Sequence, residues 1–444
     1  MSFAKMKLSL VAGVAGAIAL SACSPGSLGT TDETTAGPDG AVEAIELTLL
    51  VDNSPQTVST TNAMVDAFNE TQDEVVVKVE TRPQGADGDN LVKTRLATGE
   101  MTDIFQYNSG SLMAALDPGT NMVPLTDDEY MSSIQDAFKP AVTSGEDVYG
   151  VPFGQAMGGG ILYNKSVYAD LGLETPKTWD QFMENNARIK EAGIDPVIQT
   201  YGDTWTSQLF VLADFHNVTS AQPDWAEKYT ANQAKYVDQP ALAGFERLQE
   251  IHEAGYMNKD FASAKLPQGL QQLVDGTGAH YPMLTFAISS YLELADDAAE
   301  NIGFFAQPGD DEASYGLTAW TPAAIYIPST TTGEKLDAAK KFFAWVATPE
   351  ACDAQSEAMP PTGPYMIVDS TLPDGLPAAV NDLQQYFTDG NLSPALEFLS
   401  PIKGPNLEKI TVEVGSGITT AAEGAARYDE DVKKQAQQLG LEGW

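Results

Sequence analysis

Three histidines, His216, His252 and His280, stand far apart in the chain, and none shares the spacing that would put a metal ion between two of them. A Gly-x-Ser-x-Gly nucleophile elbow, a phosphate-binding P-loop and a Gly-x-Gly-x-x-Gly turn after a first strand are all missing from the sequence. The acidic runs Asp127-Asp128-Glu129 and Asp310-Asp311-Glu312 carry oxygen ligands but lack calcium-loop spacing, and they read as solvated surface. Cleaving a glycosidic bond needs only two carboxylates at a set separation. The chain has 62 acidic residues, yet no spacing nominates a pair. These observations point away from an enzyme and nominate no metal or cofactor.

What the chain offers instead is flat rings beside amides. Phe153, Trp205, Phe286 and Trp320 fall at loop or strand-end positions next to Gly, Thr or Pro. Sugar rings expose C–H patches that stack on aromatic faces, while their hydroxyls need amide and carboxylate partners. Asp52, Asn53, Gln106 and Asn108 supply such partners, so the set suits a neutral carbohydrate. Core packing is the competing reading for each ring, and turn chemistry for each strand-end residue. Trp179, just inside a helix start, reads as structural.

The elements that must position these residues begin at Ile45–Val51, an apolar strand ending in Asp52-Asn53. A helical stretch with Val58, Met64, Val65 and Phe68 near one face follows, then the strand Val75–Val79, a helix over Leu91–Ala97 and the strand Asp103–Tyr107. This β-α-β-α-β alternation predicts a parallel sheet covered by helices. Ligands of open sheets bind beyond the carboxyl ends of the strands, where Asp52-Asn53 and Gln106–Asn108 fall. Val148–Lys165, VYGVPFGQAMGGGILYNK, then reads as a strand, a glycine-rich loop and a second strand: a crossing between two lobes, with Phe153 and Gln155 placed to touch ligand. Further strands are expected at Pro196–Gln199, Gly278–Met283, Ile302–Phe305 and Ala323–Ile327, with helices opening at Thr178, spanning Pro240–Ala254, and running through Leu336–Val346 and on from Pro349.

Composition narrows the class. With 24 Lys plus Arg against 62 Asp plus Glu, the formal net charge of −38 repels phosphate backbones, which argues against nucleic-acid binding. Hydrophobic residues at 43% over 444 residues suffice for two ordinary cores. Residues 1–22 have the form of a signal peptide, with Lys5 and Lys7 before a short apolar run, Leu8–Leu20. The run ends Leu20-Ser21-Ala22-Cys23, which resembles a bacterial lipobox and implies acylation of Cys23. Residues 23–44 then read as a flexible tether rich in Ser, Thr, Gly and Pro. The other cysteine, Cys352, reads as an inert packed thiol.

Several pieces occur in a telling order: the lipobox, Ala97-Thr98-Gly99 to Gln106, Gly150-Val151-Pro152-Phe153, Leu162-Tyr163-Asn164-Lys165 and Pro176-Lys177-Thr178-Trp179. With them the chain, over about Ile45 to Tyr428, resembles the extracellular sugar-binding proteins of ABC importers, in the group of maltose-, multiple-sugar- and raffinose-type binding proteins. The resemblance implies an α/β, two-lobed periplasmic-binding-protein-like fold. Each lobe would be a mostly parallel sheet flanked by helices, the two joined by a three-segment hinge near Phe153–Gly158, Gly316 and Pro360-Pro361. Lobe 1 would comprise 45–155 and 316–361, and lobe 2 would comprise 156–315 and 362–444. The resemblance further implies a monomer without cofactor or metal, held on the outer face of the cell membrane by its lipid, which captures an oligosaccharide for a pair of permease subunits. It supports ligand contacts at Asp52, Asn53, Gln106, Asn108, Trp205 and Phe286, although the family often has tryptophan at the Phe286 position. Trp320 gains support from its neighbourhood. The stretch Asn391–Trp444 is similar to raffinose- and isomalto-type binding proteins of actinobacteria, which suggests an α-1,6-linked ligand and a Gram-positive source. A secreted glycoside hydrolase and a glycan-binding adhesin stay open as alternatives.

Overall fold

Leu47, Leu49, Leu50 and Val51 are all fully buried, so from Leu49 to Val51 the first strand has no solvent face. That is the signature of a strand covered by helices on both sides. A computed structural model describes residues 44–444; the expected leader, Cys23 and the tether up to residue 43 lie outside the described residues. In chain order the strands are β1 (Ile45–Asp52), β2 (Val75–Arg82), β3 (Ile104–Tyr107), a small hairpin of β4 (Thr143–Ser144) and β5 (Asp147–Val148), β6 (Gly150–Phe153), β7 (Met157–Asn164), β8 (Asp195–Val197), β9 (Gly278–Leu284), β10 (Ile302–Ala306), β11 (Leu317–Trp320), β12 (Ala323–Tyr326) and β13 (Leu392–Pro394). They build two mixed sheets flanked by helices. One has the order β2-β1-β3-β12-β6, the other β13-β11-β7-β9-β8, with β10 also paired to β7.

Pairing is parallel for β1–β2, β1–β3, β8–β9 and β11–β13, and antiparallel wherever β7 or β12 is involved. The sheets are therefore mixed where mostly parallel ones were expected. The physical reason is connectivity: β6 runs almost directly into β7, and β11 into β12, so these strands enter a sheet by a short crossing and not through a helix.

Local chemistry fixes the flanking helices. Ser54 caps the helix Pro55–Thr71, its side chain accepting from Thr57 N, and Pro55 occupies the first turn, where no donor is needed. The buried face of that helix, Thr61, Met64, Val65 and Phe68, has the spacing of one helical stripe. Phe68 meets Phe342 edge-on at 5.0 Å, which locks the helix against Glu334–Val346. Thr178 and Gln181 form a reciprocal capping box at the start of Trp179–Glu191. Trp179 itself is buried and donates to Glu250 Oε2 at 2.7 Å, a structural role as expected.

Each sheet has its own core. One cluster gathers β1, β3, β6 and β12 with Phe342, Phe343 and Tyr365–Ile367. The second sheet has a cluster on each face: Ile161 and Tyr163 of β7 point to one, Leu162 to the other, as alternation in a strand requires. Among the described residues the chain passes between the two sheets three times. The first passage is Phe153–Met157 and the second Trp320–Ala323. The third lies between Ile367, in the first core, and Ala379, in the second. The latter two fall beyond the expected points at Gly316 and Pro360-Pro361. Leu317–Trp320 pairs with β7 and β13, and Tyr365–Ile367 still pack on the first sheet.

The glycine run also differs from expectation. Gly158, Gly159 and Gly160 lie inside β7 and not in a loop, and none has a positive φ. Their value is space. A Cβ on Gly158 or Gly160 would press into Phe304, and one on Gly159 into the Trp320 ring. The backbone freedom sits at Gly154, whose φ of 106° few residues other than glycine adopt.

Candidate ligand cleft

Where the end of β3 faces the second sheet, a cavity of about 330 Å³ opens between the two cores. The first sheet contributes Asn108, Ser109, Ser111 and Leu112. Asn108 is exposed, whereas Ser109 is tied down, donating to Pro322 O at 2.8 Å and lying 3.1 Å from Thr321 Oγ1. That pair fixes the second passage to the tip of β3. From the second sheet's side come Met157, Trp205, Gln208, Leu284 and Trp320.

The two tryptophans differ. Trp205 is half-buried, on a short 3-10 turn (Thr204–Gln208), and Phe286 backs it with ring centroids 5.9 Å apart. Trp320 is only 7% exposed; its ring is seated on Gly159, and its indole N–H donates to Glu397 Oε1. Trp205 therefore has the more available face, and Trp320 forms a fixed part of the wall.

Glu397, Phe398 and Lys403, on the segment after β13, complete the cavity. Sequence reasoning did not single them out. The available signal was a non-repetitive stretch between Pro394 and Pro405 carrying an aromatic and opposite charges, since loops of that kind often carry binding residues. This segment reaches the first sheet's side: a Cβ on Gly110 would lie 2.6 Å from Glu397 O and 2.7 Å from Phe398 Cδ1. Two further cavities of about 620 Å³ each adjoin the same segment and share Glu397 with the inner one. A void of only about 20 Å³ between Trp320 and Tyr428 has room for little more than a water molecule and belongs to the packing beneath.

Of the nine expected contact residues, Asn108, Trp205 and Trp320 line the inner cavity, and Phe286 supports Trp205. Asp52 is occupied locally, accepting from Ser54 N at 2.8 Å and Thr57 Oγ1 at 3.2 Å, which is turn and helix-start chemistry. Asn53 is exposed, with its backbone N–H bound to Arg82 O. Gln106 is buried within β3 opposite Ile325, and Phe153 packs in the first core. None of these four lines the inner cavity.

Gln155 joins two passages. Its Oε1 accepts from Thr362 N at 2.8 Å and Thr362 Oγ1 at 3.2 Å, and its Nε2 donates to Tyr365 OH at 3.2 Å. Ala156 N adds a bond to Pro364 O at 2.8 Å, and a Cβ on Gly363 would collide with the Ala156 carbonyl. The first passage and the run before the third are thereby fastened side by side.

The acidic runs are engaged elsewhere. Asp128 pairs with Lys340 and accepts from Tyr130 OH, and Asp310 pairs with Arg247 at 2.9 Å. Asp214 lies behind the cavity wall, where burial pushes its carboxyl up against the opposing pull of Arg247. Sealed from the cavity, it holds Asn217 and Gln307 in place and has no access to a substrate. Burial likewise pushes His280 down to about 3, and its ring nitrogens are held by Tyr168 OH and Asn186 Oδ1.

Known proteins share this architecture. The family described as bacterial extracellular solute-binding protein matches residues 52–351. The multiple sugar-binding protein of Streptococcus mutans is 24% identical over 299 residues, 66% of this chain and 69% of its own. Among solved structures, a chitin oligosaccharide binding protein superposes with a TM-score of 0.72 at 20% identity, covering 89% of this chain and 100% of that one. The apo form of RafE from Streptococcus pneumoniae does so at 0.73 and 18%, covering 90% and 99%. With a family match over more than half its length and the two-sheet fold of such proteins, the chain belongs to the bacterial extracellular solute-binding proteins.

Proposed function

We propose that this chain captures an oligosaccharide in the cavity between its two sheets and delivers it to the permease subunits of an ABC importer. The observation that carries this reading is the cavity itself, lined by two tryptophans from one side and by the exposed Asn108 and the half-buried Ser111 from the other. A sugar held there touches both halves, and such bridging contacts favour a closed arrangement over an open one. The bodies that close are residues 44–156 with 322–367 and residues 157–321 with 378–444. The multiple-sugar and chitin-oligosaccharide names of the relatives support a saccharide. A raffinose-like, α-1,6-linked ligand is the finer form of the proposal, supported by the similarity of the C-terminal stretch and by a fold relative solved in complex with raffinose. Acylation of Cys23 places the protein on the outer face of the membrane, beside the permease.

Titration calorimetry against raffinose, isomaltotriose, maltotriose and a chitin trisaccharide tests the reading. Binding of at least one is expected, with the α-1,6-linked sugars first. Silence towards all four, together with tight binding of a peptide or an inorganic anion, overturns it. Replacing Cys23 by Ser should release the protein from membranes without changing that titration.

A further inference from the structure

The inner cavity has two charged side chains among its described lining residues, and they are paired with each other. Lys403 Nζ lies 3.1 Å from Glu397 Oε2, while Glu397 Oε1 accepts the Trp320 indole N–H. Both carboxylate oxygens are thus engaged, and the one lysine of the cavity already has its counter-ion. The pair is not sealed away: the glutamate side chain is 24% exposed and that of the lysine 45%. Its position is central. Glu397 also lines both neighbouring cavities and Lys403 one of them, so a ligand that runs on from the inner cavity into either neighbour passes Glu397.

We propose that Glu397 sets the charge specificity of the cleft: by neutralising Lys403 it presents a site that accepts neutral saccharides and refuses acidic ones. The inference rests on the saccharide reading and adds a chemical class and a residue to it. A sugar carboxylate entering here would need a cation, and the available one is held by Glu397. It would also lie close to a second carboxylate, in a protein whose formal net charge is −38. Neutral hydroxyls meet neither penalty, because they can donate to the carboxylate and accept from the ammonium in place.

The substitution Glu397→Gln tests this, since glutamine keeps an acceptor for the Trp320 N–H and nearly the same volume while releasing Lys403. Wild type, E397Q and the double variant E397Q/K403M would be titrated with a neutral trisaccharide that binds wild type and with trigalacturonate, at low and high salt. The readout is the ratio of acidic to neutral affinity. In E397Q the ratio should rise by about tenfold or more, as expected for one unpaired charge at partial exposure. The rise should shrink with salt and vanish in the double variant. An unchanged ratio in E397Q, or a gain that survives loss of Lys403, overturns the inference. Wild type that takes both trisaccharides equally overturns it while leaving the saccharide reading intact. Wild type that binds no saccharide removes both.

Discussion

Replacing Gly159 by Ala should disturb the cleft from inside the sheet. The added methyl would lie 3.0 Å from Trp320 Cη2 and 3.2 Å from Cε3, and closer still to Cζ3, whereas ordinary contact begins near 3.4 Å. The ring must withdraw by more than 0.4 Å. It cannot do so by sliding β11, because Trp320 and Thr318 are held in register with Met157 and Gly159 of β7. It must rotate, and rotation pulls the indole N–H off Glu397. Overpacking of this kind costs about 1–3 kcal/mol, and weakening a hydrogen bond to a carboxylate adds about 1–2 kcal/mol. Urea unfolding should therefore show a loss of roughly 2–5 kcal/mol, accompanied by a shift in tryptophan emission and weaker saccharide binding. The double variant G159A/W320L separates the mechanism from a general loss of strand quality. With the indole gone, the methyl has room, so the two substitutions should couple by about 1–2 kcal/mol. Strict additivity, or wild-type stability and emission in G159A, would refute the reasoning.

Three other outcomes follow from the geometry. Trp205→Ala should weaken saccharide binding by about 1–3 kcal/mol, roughly five- to 150-fold, with little loss of stability, whereas Trp320→Ala should weaken binding and also cost stability, because that ring is buried and bonded to Glu397; calorimetry paired with urea melts reads both. Gln155→Ala leaves the Thr362 N–H without its acceptor, while the Tyr365 hydroxyl keeps Ser356 Oγ at 2.9 Å; it should destabilise by about 1–3 kcal/mol, and a change in X-ray scattering would show that the fastening between passages also sets their relative angle. For His280, the unfolded chain takes up a proton near 6.5 while burial holds the folded ring down to about 3. Its contribution is therefore complete above about pH 6.5 and is lost as pH falls through that window, at up to about 1.4 kcal/mol per pH unit; His280→Gln should flatten the acid limb in chemical denaturation.

Much of the architecture was legible because burial leaves a plain mark on strands. The apolar run of β1 announced its interior place, whereas β2, whose similar run reads as buried on both sides, is an edge strand with Lys78 exposed; Thr178 announced its helix through the cap it makes. The glycines of β7 were harder. A Gly-Gly-Gly run looks like a flexible loop until it is known that the Phe304 and Trp320 rings need the space, and that knowledge is tertiary. The crossing points slipped for a similar reason: Gly316 and Pro360-Pro361 are local breaks, whereas the true passages depend on which sheet Leu317–Trp320 and Tyr365–Ile367 pack against.

The site was legible in part. Asn108, Trp205 and Trp320 were found through strand ends and exposed-looking rings, the features an open-sheet rule can use. Asp52 answered to the same rule, but its carboxylate completes a local turn, an alternative visible in Asp-Asn-Ser-Pro itself. Glu397 and Lys403 escaped because their importance comes from folding a distant C-terminal segment over the tip of β3, and no local pattern records a contact between residues nearly 300 positions apart.

The most direct test is a crystal structure of the described domain soaked or grown with a saccharide that binds in solution. Density is expected in the cavity between Trp205 and Trp320, with the ring nearest Trp205 stacked on the indole, polar contacts to Asn108, and Glu397 and Lys403 still paired. A saccharide seated elsewhere, such as the outer groove beside Tyr163 and Tyr386, with the inner cavity vacant, would contradict the central claim.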